Sequence, residues 1–179
     1  MQLRIRPARL DELAALAQLI ARSVRVLSAG YYTPRQIELS LIHVFGVDTQ
    51  LITDETYFAA EADGQLAGCG GWSKRKTLYG GDQLKEGEDN LLNPATDFAR
   101  IRAFFVDPAW ARRGVGRQLL EACETAARAA GFTRLELAAT LPGVPLYEIA
   151  GYRAVEQLAV PMPEGETLPI VRMEKHLPA

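Results

Sequence analysis

Apolar residues in this chain recur with two periods, one typical of strands and the other typical of helices. Leu3 and Ile5 alternate with arginines, which predicts a first strand with one buried face. From Leu13 to Val24 the apolar residues recur at helical spacing, so we expect a helix there, capped by Asp11. The pattern therefore predicts a strand that leads directly into a helix.

Shorter signals predict a second helix and a hairpin. The stretch Thr33-Pro34-Arg35-Gln36 combines an N-cap threonine, a proline at the first helical position and a glutamine that closes a capping box. Two apolar runs, residues 57–60 and 66–72, flank Asp63-Gly64, a pair that tolerates the positive φ angles of a tight turn. We expect two antiparallel strands around that turn.

The second half of the chain contains the clearest helix signal. An apolar run ends at Val106, and a stripe at helical spacing then extends from Val115 to Ala130 and stops at Gly131. The later predicted elements are a strand at 134–138, a short helix near 145–150 and strands around 152–157 and 168–173. This order predicts a mixed α/β (α+β) fold of about seven strands and about four helices, with strand-helix-strand crossovers in the second half only.

The composition is that of a globular protein. A chain of 179 residues can bury about 70% of its unfolded surface, so we predict a single domain over residues 1–179. Its 48% hydrophobic and 23% charged residues match the averages of about 45–50% and about 25%. Residues 74–97 are polar and glycine-rich, and we expect a flexible loop there that could cover a substrate groove.

Charge and residue inventory argue against several classes of function. With 20 basic and 22 acidic residues, the formal charge is −2, so no global field attracts nucleic acid or anionic lipid, and neither partner is expected. His43 and His176 lie far apart without clustered thiols, so we expect no metal site. Cys69 and Cys123 should be buried free thiols. With no signal-peptide pattern at its start, the chain is expected to be cytoplasmic.

The candidate chemistry lies in the turn before the long predicted helix. The sequence of this turn is Arg112-Arg113-Gly114-Val115-Gly116-Arg117. Glycines at the mouth of a helix let backbone N–H groups converge on an anion, and the helix dipole adds about half a positive charge. The turn matches neither the triphosphate-binding nor the dinucleotide-binding fingerprint. A pyrophosphate site and a solvated basic turn therefore both remain open.

From about residue 100 to 155 the chain resembles the GCN5-related N-acetyltransferases, the GNAT family, which transfer an acyl group from acyl-coenzyme A. Residues 111–116, Ala-Arg-Arg-Gly-Val-Gly, are similar to the family signature Gln/Arg-x-x-Gly-x-Gly/Ala, with Ala111 as a departure. Residues 145–152, Pro-Leu-Tyr-Glu-Ile-Ala-Gly-Tyr, are similar to the family's Phe-Tyr-x-x-x-Gly-Phe/Tyr segment. Thr140 and Gly143 stand where relatives often have asparagine and alanine.

This resemblance implies a fold, a cosubstrate and a site. The fold would be the acyl-CoA N-acyltransferase fold, with a central mixed, mostly antiparallel sheet. Acetyl-CoA would be the cosubstrate, with no metal, its pyrophosphate on the loop amides and its pantetheine arm beside the preceding strand. The implied cofactor-binding residues are Phe104, Phe105, Val106, Arg112, Arg113, Gly114, Val115, Gly116, Arg117 and Thr140. Tyr147 takes the position of the tyrosine that protonates the departing thiolate; alternatively, it anchors a short helix by its ring.

Several roles have more than one candidate at this stage. Many relatives use a glutamate on the strand before the loop as general base, but residues 100–104 contain none. The candidate bases elsewhere are Glu61, His43 and Asp107. Arg100 and Arg102 share one strand face, either as a solvated pair or as a site for a carboxylate or phosphate, a role that residues 74–76 could also fill. Trp72 is either core or, with Ser73, part of an acceptor pocket.

The predicted function is transfer of the acetyl group from acetyl-CoA to a primary amine by direct attack in a ternary complex. The alternative is a non-catalytic module that binds or senses acyl-CoA, which the strand without a glutamate favours. The acceptor is expected to be a small-molecule or peptide amine. Homodimerisation stays open, because relatives often pair through their late strands.

Overall fold

A computed structural model describes residues 1–178 of the chain, and seven strands form its sheet in the order β1-β2-β3-β4-β5-β7-β6. The strands are Leu3–Pro7 (β1), Tyr57–Ala62 (β2), Gln65–Ser73 (β3), Ala99–Val106 (β4), Arg134–Thr140 (β5), Arg153–Pro161 (β6) and Thr167–His176 (β7). Only the pair β4–β5 is parallel, and the other neighbours are antiparallel. The sheet is therefore mixed and mostly antiparallel, as predicted.

Five α-helices accompany the sheet. They are Leu13–Leu27 (α1), Pro34–His43 (α2), Thr49–Thr53 (α3), Val115–Ala129 (α4) and Val144–Ile149 (α5). The predicted fold class is confirmed, with one more helix than expected. The short α3 was not predicted, because five residues are too few to display a helical period.

The helices cover both faces of the sheet. Buried residues of α1 and α2 pack in one cluster. Buried residues of α4 lie in two others, one of which also contains Tyr147 of α5. Ile101 and Phe105 of β4 would share a face in a regular strand, but Ile101 packs with the α4 cluster and Phe105 with the α1 cluster, because the strand is irregular between them. The result is a sheet between two helical layers.

Helix ends follow the predicted signals in two cases and depart from them in one. The Thr33 hydroxyl accepts from the Gln36 N–H at 3.1 Å, completing the predicted capping box. The helix α4 ends one residue before the position predicted, and Gly131 follows it at a φ of 94°. Asp11 is not a cap, because a 3-10 turn precedes α1 and the Glu12 side chain accepts from the Arg9 N–H instead.

Two glycines have clear structural roles, and one of these roles was predicted. Asp63 and Gly64 have φ angles of 51° and 80° and form the predicted turn between β2 and β3. On β3, Gly68 lies under α4, where an added Cβ would come within 2.8 Å of Val115 Cγ1. A larger residue at 68 would therefore push the start of α4 away from the sheet.

The segment 74–97 lies against the chain that follows α2. Within the described residues it contains no helix or named strand, only an isolated bridge between Arg75 and Leu91. The Gly81 N–H donates to the Val44 carbonyl at 2.8 Å, and the Asp82 N–H donates to the Val47 carbonyl at 3.1 Å. These backbone contacts hold the middle of the segment beside the sheet.

Two further features concern the whole described chain. Cys69 and Cys123 are both fully buried free thiols, as predicted. None of the helices in residues 1–178 is long and apolar enough to cross a membrane.

Candidate active site

The strands β4 and β5 diverge and leave an opening in the middle of the sheet. Their parallel pairing is confined to Ala99 with Leu135 and Arg100 with Glu136, although both strands continue beyond these residues. Ala103 has a φ of 54°, and the register between β3 and β4 shifts at this point, as in a β-bulge. The bulge bends β4 away from β5 and leaves its backbone facing the opening.

A pocket passes through this opening from one helical layer to the other. Its lining residues are Val44, Phe45, Gly46, Leu78, Tyr79, Gly80, Gly81, Ile101, Ala103, Phe104, Phe105, Ala138, Thr140 and Tyr147. Phe104 and Tyr147 belong to the clusters on the α4 side, whereas Phe45 and Tyr79 pack with the α1 cluster. Two ligands could therefore approach the same point from opposite faces of the sheet.

Tyr147 lies at the α4 side of this pocket. Its side chain is 7% exposed, and its ring makes edge-to-face contacts with Phe104 at 6.2 Å and Tyr152 at 5.8 Å between centroids. Burial raises the pKa of the Tyr147 phenol well above its ordinary value, so the hydroxyl keeps its proton. Within residues 1–178 this hydroxyl has no hydrogen-bond partner, whereas the Tyr152 hydroxyl donates to Glu124 at 2.9 Å.

The glycine turn lies next to α5, the helix that carries Tyr147, although none of its residues is among those that line the pocket. Gly114 is the N-cap of α4 with a φ of 84°, and among the described residues no side chain caps this helix, so its first N–H groups are free to receive an anion. A Cβ on Gly116 would lie 3.1 Å from Leu146, which places α5 directly beside the turn. The loop and Tyr147, distant in sequence, are thus neighbours.

The three arginines of this turn point to solvent. Arg113 stacks over the Trp110 ring at 5.3 Å, and Arg117 is 3.6 Å from Glu121 on the next turn of α4. Arg112 has no ion-pair partner in the part of the chain that the structure describes, and its φ is 63°. Because these side chains are exposed, they are available to an anionic ligand at the helix mouth.

None of the three candidate bases lines the pocket. Glu61 on β2 pairs with Arg6, two strands away from the opening. Asp107 accepts from the Ala109 N–H at 3.0 Å and from Arg22 at 2.7 Å, so its carboxylate is occupied. His43 is the last residue of α2, next to the lining residue Val44.

Arg102 is buried and pairs with a carboxylate of the protein itself. It is 2% exposed, and its Nη2 donates to Asp48 Oδ2 at 3.1 Å and to the Gly80 carbonyl. Lys85 Nζ contacts both carboxylate oxygens of Asp48 at 2.7 Å. We call Asp48, Lys85 and Arg102 the node. Through Asp48 and the Gly80 carbonyl, Arg102 of β4 holds the two segments that line the pocket at residues 44–46 and 78–81.

Arg100 and Arg75, two other basic residues considered from the sequence, also have internal partners. Arg100 contacts the Glu136 carboxylate, and Arg75 Nε donates to Asp54 at 2.6 Å. The pKa of the Asp54 carboxyl is lowered by that hydrogen bond. Trp72 is core, packed at 6.0 Å between ring centroids from Phe132 and outside the pocket lining.

Comparison with known proteins identifies the family. The family model described as "Acetyltransferase (GNAT) family" matches residues 22–152. A search of curated protein sequences finds no match. The chain belongs to the GNAT acetyltransferase family.

Solved structures of similar fold carry the same description. A GCN5-related N-acetyltransferase from Rhodopseudomonas palustris superposes with a TM-score of 0.73 at 22% identity, covering 99% of this chain and 97% of that one. The PaiA N-acetyltransferase from Thermoplasma acidophilum, in complex with coenzyme A, has a TM-score of 0.65 at 15% identity over 98% of this chain and 99% of that one.

A third structure contains acetyl-CoA. The putative acetyltransferase yncA from Salmonella typhimurium has a TM-score of 0.65 at 17% identity, covering 100% of this chain and 96% of that one. At these identities the likeness shows the fold, and the fold is that of acetyltransferases.

Sequence reasoning found one side of the site and missed the other. Phe104, Phe105, Thr140 and Tyr147 all line the pocket, whereas Val106 and residues 112–117 do not; the glycine turn lies beside α5 instead. Their roles as donor-binding and catalytic residues stay a prediction. The walls formed by residues 44–46 and 78–81 were not predicted; the length of the loop 74–97 was their only signal.

Proposed function

We propose that this chain is an N-acetyltransferase that moves the acetyl group of acetyl-CoA directly to a primary amine. The observation that carries the proposal is the opening between β4 and β5, with the uncapped N-terminus of α4 beside α5 and the protonated phenol of Tyr147 in the pocket lining. Each feature suits a different part of the donor. The opening is a channel for the extended pantetheine arm, the helix N-terminus is a site for the pyrophosphate, and the phenol supplies a proton to the leaving sulfur. The two buried free thiols support the proposed cytoplasmic location, where cysteines stay reduced.

In the proposed reaction both substrates meet in the opening. The acceptor nitrogen attacks the thioester carbonyl carbon, a C–N bond forms and the C–S bond breaks. Tyr147 donates its proton to the departing sulfur, and the amine releases its proton to solvent, because no carboxylate among the described residues lines the pocket. Holding amine and thioester together supplies much of the acceleration, and no covalent enzyme intermediate is required.

The main alternative is a non-catalytic module that binds or senses acyl-CoA. The pocket lining favours it in one respect, since none of its described residues can act as a strong base. Both functions predict binding of the coenzyme, but only the enzyme consumes it. Measuring the release of free thiol from acetyl-CoA across a library of amines separates the two functions. Tight binding of the coenzyme without thiol release in the presence of any amine would favour the module.

The test of the mechanism is the substitution Tyr147→Phe. Removing the hydroxyl while keeping the ring should lower turnover about 10² to 10⁴ fold, since that is the usual contribution of a general acid. Tyr152→Phe is the matched control, because that ring touches Tyr147 but its hydroxyl binds Glu124. Turnover of the Tyr147→Phe variant close to that of wild type would reduce Tyr147 to a packing residue.

A further inference from the structure

The half of the pocket that faces α1 is lined by aromatic and aliphatic side chains and by glycine backbone, and within residues 1–178 it carries no charged side chain. It is walled by Val44–Gly46 and by Leu78–Gly81, and Phe45 makes an edge-to-face contact with Phe105 at 5.9 Å between centroids. Among the described residues, none that line the pocket is Asp, Glu, Lys, Arg or His. The polar side chains of the lining are the phenols of Tyr79 and Tyr147 and the hydroxyl of Thr140.

The charged groups closest in the fold are held by protein partners. The carboxylate of Asp48 is 0% exposed and receives both Arg102 and Lys85. The carboxylate of Glu136, beside the point where the strands part, contacts Arg100 and Arg172. Among the described residues, these two carboxylates are therefore already paired; Asp82, which follows the wall residue Gly81, has no ion-pair partner, but it accepts from the Thr49 N–H at 3.0 Å and is not a lining residue.

Such a lining discriminates against a second charge on the acceptor. A charged group that enters an apolar site loses its hydration without gaining a counter-ion, which is among the most costly events in binding. Aliphatic or aromatic groups instead gain from leaving water and from contacts with the edges and faces of aromatic rings. The pocket thus fits an amine with an apolar body.

We propose that the acceptor is a primary amine carried by an aromatic or other apolar group without a second charge, recognised by Phe45 and Tyr79. The proposal rests on the proposed acetyltransferase function and specifies its substrate class. It separates this chain from enzymes that select diamines, amino acids or other multiply charged acceptors.

Matched pairs of amines test this class directly. Hexylamine and hexamethylenediamine differ by one ammonium group, and benzylamine and para-(aminomethyl)benzoate differ by one carboxylate. With acetyl-CoA saturating, we expect kcat/KM to be at least about 10² fold higher for the member of each pair that lacks the second charge. Equal or inverted ratios would overturn the proposal, and a preference for the benzoate would indicate that Arg102 reaches the acceptor.

A substitution in the wall should change the ratio. Phe45→Glu places a carboxylate in the pocket and should move the preference from hexylamine toward hexamethylenediamine by at least about tenfold. The ratio is measured within one variant, so a reduced folded fraction cancels. Phe98→Glu is the control, since Phe98 packs against Arg134 and His176 outside the pocket and should leave the ratio unchanged.

The outcomes distinguish the two proposals. If no amine releases thiol, the acetyltransferase function fails and the acceptor class fails with it. If the doubly charged members react faster, the function stands and only the acceptor class is wrong. An unchanged ratio in Phe45→Glu would show that Phe45 does not contact the acceptor, and would overturn its assigned role.

Discussion

At the scale of single residues, the buried node of Asp48, Lys85 and Arg102 determines where the walls of the pocket lie. The side chains of Asp48 and Arg102 are 0% and 1% exposed, so their charges cannot be stabilised by water. Arg102 also donates to the carbonyls of Thr77 and Gly80. Arg102 of β4 thereby fixes the segment after α2 and the segment after β3 in position relative to each other.

Removing the carboxylate should therefore destabilise the protein. In Asp48→Asn two buried cations lose their shared partner, and we expect the free energy of unfolding to fall by about 3–5 kcal/mol. Urea unfolding of both forms provides the measurement. Glu38→Gln, in the exposed pair with Arg25, is the control and should leave the midpoint nearly unchanged. Equal shifts in the two variants would contradict a special role for the node.

The sequence predicted half of this arrangement. Alternation along the strand correctly placed Arg100 and Arg102 on one face, because a period of two follows from strand geometry alone. The partner of Arg102 lies 54 positions away. No local pattern connects Arg102 with Asp48. The sequence therefore left two alternatives for the arginines, a solvated pair or a ligand site. In the structure Arg102 pairs with the carboxylate of Asp48 instead.

At the scale of elements, the start of α4 is built to leave its N–H groups without a side-chain partner. Gly114 takes a left-handed N-cap conformation, at a position where serine, threonine or aspartate would normally accept from the first turn. The helix thus lacks a side-chain hydrogen bond at its N-cap, and its first N–H groups can bind an anion instead. The helix itself is kept by packing, through Val115, Leu119 and Cys123, which are fully or almost fully buried.

The double substitution Gly114→Asp, Gly116→Asp tests this interpretation. Carboxylates in the first turn suit the helix dipole but repel the pyrophosphate. Because Gly114 has a φ of 84° and a Cβ at 116 would lie 3.1 Å from Leu146, the variant should also be less stable before any ligand is added. Coenzyme A at about 100 times its Kd should raise the Tm of the wild type by about 5–10 °C and leave that of the variant unchanged. Gly165→Asp, at an open glycine outside the pocket, is the control and should keep the shift. A retained shift in the double variant would refute the phosphate site.

Local signals explain which elements were predictable. The capping box of α2, the Asp63-Gly64 turn and the stop at Gly131 depend on neighbours within a few positions, and all three are found. In α1, Leu16, Ile20 and Val24 are buried, as helical spacing predicts, but Leu19 is buried as well and Ala17 is exposed. The orientation of a helix on its sheet decides such details, and that orientation is a tertiary property.

At the scale of the whole molecule, the pocket combines one part of the chain that contains recognisable motifs with two parts that contain none. The side facing α4 comes from residues 104–147, one continuous stretch with recognisable motifs. The side facing α1 combines residues 44–46 and 78–81, which meet only because the sheet brings β4 between them. The side of the pocket proposed for the donor could therefore be predicted from sequence, whereas the walls proposed to select the acceptor required the fold.

Burial of neutral phenols and thiols gives the molecule a distinctive response to alkali. Burial raises the pKa of Tyr32 and that of Cys69 to about 12. Burial also raises the pKa of Tyr57, Tyr147 and Cys123 well above their ordinary values. In the unfolded chain the thiols ionise above about pH 8.5 and the phenols above about pH 10, whereas in the folded chain these groups hold their protons up to about pH 12.

Stability should therefore be constant up to about pH 8 and fall steeply above about pH 8.5, first through the thiols and then through the phenols. Because the unfolded chain binds fewer protons there, each such group contributes a loss of about 1.4 kcal/mol per pH unit. Urea unfolding at closely spaced pH values measures this slope. Cys123→Ala should lower stability at every pH by leaving a cavity, yet flatten the slope near pH 9 to 10 by the contribution of one thiol. A free energy of unfolding that stays level to about pH 11 would show that these groups are reached by water in the folded state, including the phenol assigned here as the proton donor.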